Sequence, residues 1–237
     1  MAFKTRTLAT ITVPDTALIT ACIAFTREQL DDHAYNHVMR SWLCGQALIS
    51  HLPAIKTEGL DLEAYAVGII MHDLGWSKNP DFISKDKTFE VDGANSARAW
   101  LHREADNDKW DKHRIQLVWD LIALHTTPDI SIHKEPEVGL ACAGIMVDLL
   151  GVEVTKAMVG EQMIGMTQGE FDAIAEVFPR PGLKGYVKDT ICGFCRDKPS
   201  TTYWNFQAGF GERFVEGYAE KLEENKVIGP FMKYVTE

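Results

Sequence analysis

The residues best equipped for chemistry are a histidine and an aspartate side by side, His72-Asp73, at the end of the apolar run Val67-Gly-Ile-Ile-Met71. Such a run delivers an imidazole and a carboxylate to the interior of a fold. There, each costs free energy unless it is paired or holds a cation. On the dipeptide alone a plainer reading stands beside this one: a helix C-terminus with Asp73 solvated and His72 complementing the dipole. Two more residues shift the balance. His37 sits in Tyr35-Asn-His-Val-Met-Arg-Ser-Trp42, on a helix whose other face (Val38, Trp42, Ala47) is core-directed. Asp148 interrupts the apolar run Gly144-Ile-Met-Val-Asp-Leu-Leu-Gly151, where a lone carboxylate is hard to explain as a solvated group. Two imidazoles and two carboxylates make a ligand set for one divalent ion; Zn, Fe, Mn and Co all accept it, and spacing does not choose among them.

Helices must carry these residues. Asp15 or Thr16 caps a helix over 17–31, with Leu18, Cys22, Phe25 and Leu30 at helical spacing. A second helix covers 34–52 and stops before Pro53. Asp61 caps a third over 62–74, ended by Gly75; it is apolar nearly all round, which predicts a central buried helix. A polar loop follows over 77–88, then helices over 89–102, 112–124 and 138–151. Beyond these, 168–177, 185–194 and 210–225 read as helical, separated by the prolines at 179, 181 and 199. The first dozen residues read as an extended arm or a short edge strand. The fold class is all-α: an arm and first helix over 1–30, a core over 31–155 that carries the ligand candidates, and a helical extension over 156–237 expected to pack on it.

Composition bounds the function. A chain of 237 residues buries a substantial core without disulfides. Its net charge of −10, with basic residues scattered among acidic ones, argues against a nucleic-acid face and against anionic membranes. Five cysteines, an odd number, read as reduced thiols, and the start has no apolar signal core. The expected setting is the cytoplasm, the expected partner a small-molecule substrate, and a homo-oligomer is compatible with everything above.

The order of these motifs, NHVMR (His37), IIMHDLGW (His72, Asp73) and GIMVDLLG (Asp148), resembles the HD superfamily of metal-dependent phosphohydrolases. FEVDGANSARAWL further resembles the cyanamide hydratase-like branch, in which a histidine also stands shortly before the last Asp; His125 in ALHTTPD holds that place. The resemblance covers roughly residues 30–155 and implies an HD-type helical bundle. It implies one divalent metal, Zn favoured, on His37, His72, Asp73 and Asp148. Dinuclear members carry a further histidine where this chain has Phe89, which cannot coordinate, so one metal is expected; His102, His113 and His133 read as surface residues.

In this reading Asp73 takes a proton from water as well as binding the metal, and His125 orients substrate or donates a proton. The plainer role for His125 is to cap the preceding helix. Glu90 and Asp92 reach the site from the following helix, Trp76 borders the pocket, and Arg40 either touches substrate or pairs with a carboxylate. The reaction expected is addition of activated water to a small molecule, a cyanamide or nitrile by the closer resemblance. A phosphohydrolase is the competing enzyme and a metal-stabilised regulator the alternative from another class. Cys192-Gly-Phe-Cys195 has redox spacing but no βαβ context, and reads as two structural thiols. Tyr203, Trp204, Phe206 and Phe210 read as packing, lid or dimer residues.

Overall fold

Short polar side chains fix where the helices begin. Thr16 accepts a hydrogen bond from the Ile19 amide to open α1 (Ala17–Gln29), and Asp31 does the same for α2 (Asp32–His51) through Ala34. Asp61 caps α3 (Leu62–Met71) through Ala64, and Asp111 caps α5 (Lys112–Leu124) through His113 and Arg114. Each bond satisfies an amide that the first helical turn leaves open. Between α3 and α5 lie two single 3-10 turns, Leu74–Trp76 and Pro80–Phe82, and the helix α4 (Phe89–Glu104). Then come the one-turn α6 (Pro128–Ser131), α7 (Pro136–Leu150), α8 (Val152–Val159) and α9 (Gln168–Val177), the last opened by a Thr167/Glu170 capping box.

The computed structural model describes residues 4–53, 57–160, 164–225 and 234–235, and this part is all-α apart from one hairpin. The remaining positions of the sequence-read arm and extension lie outside the described residues. The hairpin pairs β1 (Thr5–Leu8) with β2 (Ile11–Pro14) antiparallel, Leu8 opposite Ile11. Its turn residues Ala9 and Thr10 take φ of 48° and 70°, the left-handed region usually given to Asn or Gly. That is why the sequence read only as extended here: the turn carries none of the residues that announce one.

Contacts divide the chain into two compact units. The first holds the described residues through Ile83 and from Phe89 to Pro181; the second holds Ser84–Thr88 and the described residues from Gly182 on. The boundary therefore falls after Pro181, not after residue 155: α9 packs on α2, and the carbonyls of Phe178 and Pro179 both accept hydrogen bonds from Arg40. In the first unit α2 packs along α7, α4 along α5, and α3 is wrapped by α1, α2 and α5, every residue from Ala64 to Met71 being buried. This is the central helix its composition predicts.

The second unit consists of α10 (Leu183–Asp197), a 3-10 turn at Pro199–Thr201, α11 (Ala208–Phe214) and α12 (Tyr218–Glu224). The single helix read over 210–225 is two, because Gly217 turns the chain at φ 70°. Its core is Cys195, Tyr203, Tyr218 and Leu222, with Thr202 Oγ1 2.7 Å from the Tyr218 hydroxyl. Lys198 holds the 84–88 loop by donating to the Lys87 carbonyl at 2.8 Å. Trp204 and Phe206 are exposed, and burial raises the pKa of both Cys192 and Cys195, as inert structural thiols require. All five cysteines are buried and unpaired, and no helix among the described residues is long and apolar enough to cross a membrane.

Asp61 joins the α3 cap to the rest of the core: Arg114 of α5 donates to both of its oxygens. Burial raises the Asp61 pKa, but the Arg114 hydrogen bond and the capped amides outweigh it and hold the carboxyl below its ordinary value. A carboxyl lowered on folding contributes stability above its unfolded pKa of about 3.9 and loses it as pH falls through the folded value. Asp61→Ala is expected to cost about 1–2 kcal/mol at neutral pH. In urea denaturation from pH 7 to 3 the gap to wild type should stay constant above about pH 5 and narrow below about pH 4. A gap that widens in acid would contradict this role.

Candidate metal centre

The end of α3 brings two neighbouring side chains to one place. Successive residues of a continuing helix point about 100° apart. Here the helix stops: His72 caps its C-terminus, and Asp73 (φ −104°, ψ 24°) starts the tight turn Leu74–Trp76. Glycine makes room for the packing that holds this turn. A Cβ on Gly75 would lie 2.0 Å from the Phe89 carbonyl oxygen, and one on Gly93 3.2 Å from the His72 carbonyl. With glycine at both positions, α4 rests directly on the backbone beside Asp73.

His72 donates its Nδ1–H to the carbonyl of Ile69 at 2.7 Å, three residues back. His125, at the end of α5, repeats the device with the Ile122 carbonyl at 2.6 Å. A carbonyl can only accept, so both rings carry hydrogen on Nδ1 and a bare lone pair on Nε2. His37 of α2 turns its Nδ1 to Asp148 Oδ2 of α7 at 2.6 Å. That carboxylate is already held by Arg40, which leaves the donor's part to His37 and a lone pair on its Nε2 as well.

The bare nitrogens converge. His37 Nε2 and His72 Nε2 are 3.3 Å apart, and they stand 3.4 and 3.3 Å from Asp73 Oδ2. His125 Nε2 faces the other oxygen, Oδ1, at 3.6 Å. Neither Asp73 oxygen receives a hydrogen bond, although the residue is 1% exposed. Lone pairs turned on one another and on a buried carboxylate repel unless a positive charge lies between them. His37, His72 and Asp73 therefore form a buried group that can hold a metal ion.

In the metal-free protein a proton meets the same need: burial works against a charged His72, yet the Asp73 carboxylate outweighs it and raises the pKa, so a proton on Nε2 competes with a cation. Burial also raises Asp73, but the His72, His37 and His125 imidazoles win and lower it. His125 goes the other way: burial, reinforced by His72, pushes it down to about 3, so it stays neutral.

Asp148, read from sequence as a fourth ligand, is not in this group. Its Oδ1 accepts from Arg40 Nε at 2.5 Å, and its Oδ2 from His37 Nδ1 and from Arg40 at 3.1 Å. Arg40 accordingly takes the carboxylate-pairing role and not the substrate-binding one, being 1% exposed with its remaining bonds on backbone carbonyls. Glu90 is buried and accepts from Thr126 Oγ1 at 2.8 Å, next to His125. Asp92 is buried in the same first turn of α4. Trp76 stacks on the His37 ring, 18° from parallel with centroids 5.9 Å apart, and the Phe89 ring bridges Trp76 and His125.

Sequence reasoning missed Arg180, which donates to the carbonyls of Asp148 and Leu149, and Thr126, which holds Glu90. Arg180 lies between two prolines, far from any motif, and no spacing announces it. Compared with known proteins, the sequence matches no family model and no curated protein.

Proposed function

We propose that this chain is a metal-dependent hydrolase or hydratase of the HD-superfamily type, adding water to a small uncharged molecule. The observation that carries the reading is the convergence of two Nε2 lone pairs on a buried Asp73 oxygen that has no hydrogen-bond donor. A donor set of two imidazoles and one carboxylate suits one Zn2+ first, and Fe, Mn or Co by the same count. A divalent ion held there lowers the pKa of water and polarises an electrophile.

The chain's own residues do the rest. Asp73 turns Oδ2 to His37 and His72 and leaves Oδ1 beside His125, a place where a water proton can be accepted. With its Nδ1–H committed to Ile122 and its ring held neutral, His125 offers only an acceptor, which makes it a positioning group for water. Trp76 and Phe89 supply apolar walls.

Charge supports the substrate class. Binding a phosphoester needs uncommitted cations, whereas Arg40 and Arg180 are both engaged at Asp148, and Glu90 and Asp92 add buried carboxyl groups. This favours a nitrile or cyanamide, in line with the resemblance of the 89–101 segment and His125, over a nucleotide.

The test is metal content per chain together with assays of cyanamide hydration and of a phosphoester panel. One metal with hydration is the expected result; phosphatase activity alone would overturn the substrate reading, and no metal at all the whole proposal. His125→Ala should keep the metal and lose at least about 100-fold in turnover. If it loses the metal instead, His125 is a ligand.

A further inference from the structure

Asp148 is a fully buried carboxylate whose surroundings are organised to hold it still. Arg40 grips both its oxygens from α2 while donating to the Phe178 and Pro179 carbonyls, which accept at 3.0 and 2.9 Å. Arg180 closes the other side. Its NH2 reaches the carbonyls of Asp148 and Leu149 in the last turn of α7, at 2.5 and 3.3 Å, and its Nε stands 3.7 Å from Asp148 Oδ1. Those carbonyls belong to the group a helix end leaves open, and a cation there also meets the negative end of the helix dipole. The helices meet closely enough for this because Gly144, one turn before Asp148, lies against α2: a Cβ there would sit 2.8 Å from the Ser41 carbonyl and 2.9 Å from Gly45. What this assembly offers outward is one acceptor, Oδ2, aimed at His37 Nδ1.

We propose that Asp148 is a positioning residue for His37 and not a ligand: clamped by Arg40 and Arg180, it fixes the His37 tautomer and ring so that Nε2 faces His72 and Asp73. This rests on the metal reading above for its consequence, but the tautomer itself is a property of the metal-free protein. An imidazole that donates Nδ1–H to a carboxylate presents a fixed, more basic Nε2, and losing such a support typically lowers metal affinity about 10–100-fold without removing the site.

Asp148→Asn is the informative change, because it keeps the shape and alters one hydrogen. The asparagine has a single acceptor oxygen, and Arg40, which can only donate, will take it. The amide NH2 then faces His37 Nδ1, forcing that nitrogen to accept and moving the ring hydrogen to Nε2, where it competes with a cation. The same substitution against a catalytic histidine is known to trap the wrong tautomer while sparing the geometry.

The experiment has two readouts on folded protein. Nitrogen-15 NMR of the metal-free chain should show His37 protonated at Nδ1 in the wild type and at Nε2 in Asp148→Asn. Zn2+ titration against a competing chelator should show about 10–100-fold weaker binding by Asp148→Asn, still saturating at one ion per chain. Asp148→Glu, which restores an acceptor-only group, should recover the Nδ1–H form. Should Asp148→Asn not fold, the wild-type tautomer decides alone: His37 protonated at Nε2 in the metal-free chain would overturn the proposal.

Loss of all Zn2+ binding by Asp148→Asn, as complete as in His72→Ala, would overturn the proposal and make Asp148 a ligand. An unchanged His37 tautomer would overturn it as well. A wild type that binds no Zn2+ yet shows the tautomer switch would sink the metal reading and leave the positioning role standing.

Discussion

Asp73→Asn is expected to lower the stability of the metal-free protein at neutral pH and to abolish its stabilisation by metal. The wild-type carboxylate is buried and stands 3.3–3.6 Å from three imidazole nitrogens. Its pKa is lowered and that of His72 raised, so the folded state favours the charged pair, and a carboxyl lowered on folding contributes stability above its unfolded pKa. Asparagine removes that charge. An interaction with a charged partner is worth about 1.5–3 kcal/mol, which for a domain of this size corresponds to a fall of about 3–12 °C in the melting temperature. With metal the gap should widen. A ligand at one hundred times its Kd stabilises by about 2.7 kcal/mol, which the wild type should show and Asp73→Asn should lack. Melting curves in EDTA and in Zn2+ decide it, and an Asp73→Asn protein stabilised by Zn2+ as much as wild type would show that Asp73 is no ligand.

The pattern of what the sequence disclosed follows from how local each signal is. Asp61 and the 112–124 helix are written within one or two turns of chain, and the structure places them as read; the helix read over 62–74 starts as read but ends at Met71, since Leu74–Trp76 form a separate tight turn. His72 posed a choice between helix cap and site residue, and so did His125. The structure shows that the two are one device, since the Nδ1–H that caps the carbonyl three residues back is what leaves Nε2 bare. An apolar helix ending Ile-x-x-His is thus a signal that can be sought in advance. Long-range facts were not legible. Nothing near residue 180 tells that an arginine there will meet Asp148, 32 residues earlier, and nothing near Arg40 decides between substrate and carboxylate until α7 is packed against α2. The hairpin was obscured for the opposite reason: its pairing is local, but Ala9-Thr10 is an unusual pair for left-handed backbone.

The largest stability loss in the molecule should come from Arg40→Met. The side chain it replaces is 1% exposed, and the substitution strands Asp148 at 0% exposure along with the carbonyls that Arg40 satisfies. Removing one member of a buried ion pair costs about 3–5 kcal/mol, chiefly because the other charge stays behind. Here that corresponds to a fall of about 6–20 °C in the melting of the first unit, which holds five of the six tryptophans and can be followed by their fluorescence. Arg180 stands too far from the Asp148 carboxylate, Nε to Oδ1 at 3.7 Å, to replace the bonds that Arg40 makes. The physical cause is separable by adding Asp148→Leu. If the cost is the stranded charge, the double variant should regain most of the loss, because an apolar replacement of both partners is often neutral. If it regains nothing, the loss comes from the Phe178 and Pro179 carbonyls, and Arg40 matters as the anchor of residues 178–179 more than as a counter-ion. Either way the double variant should bind metal poorly, since His37 then has no acceptor for its Nδ1–H and nothing selects the tautomer that turns a lone pair toward Asp73.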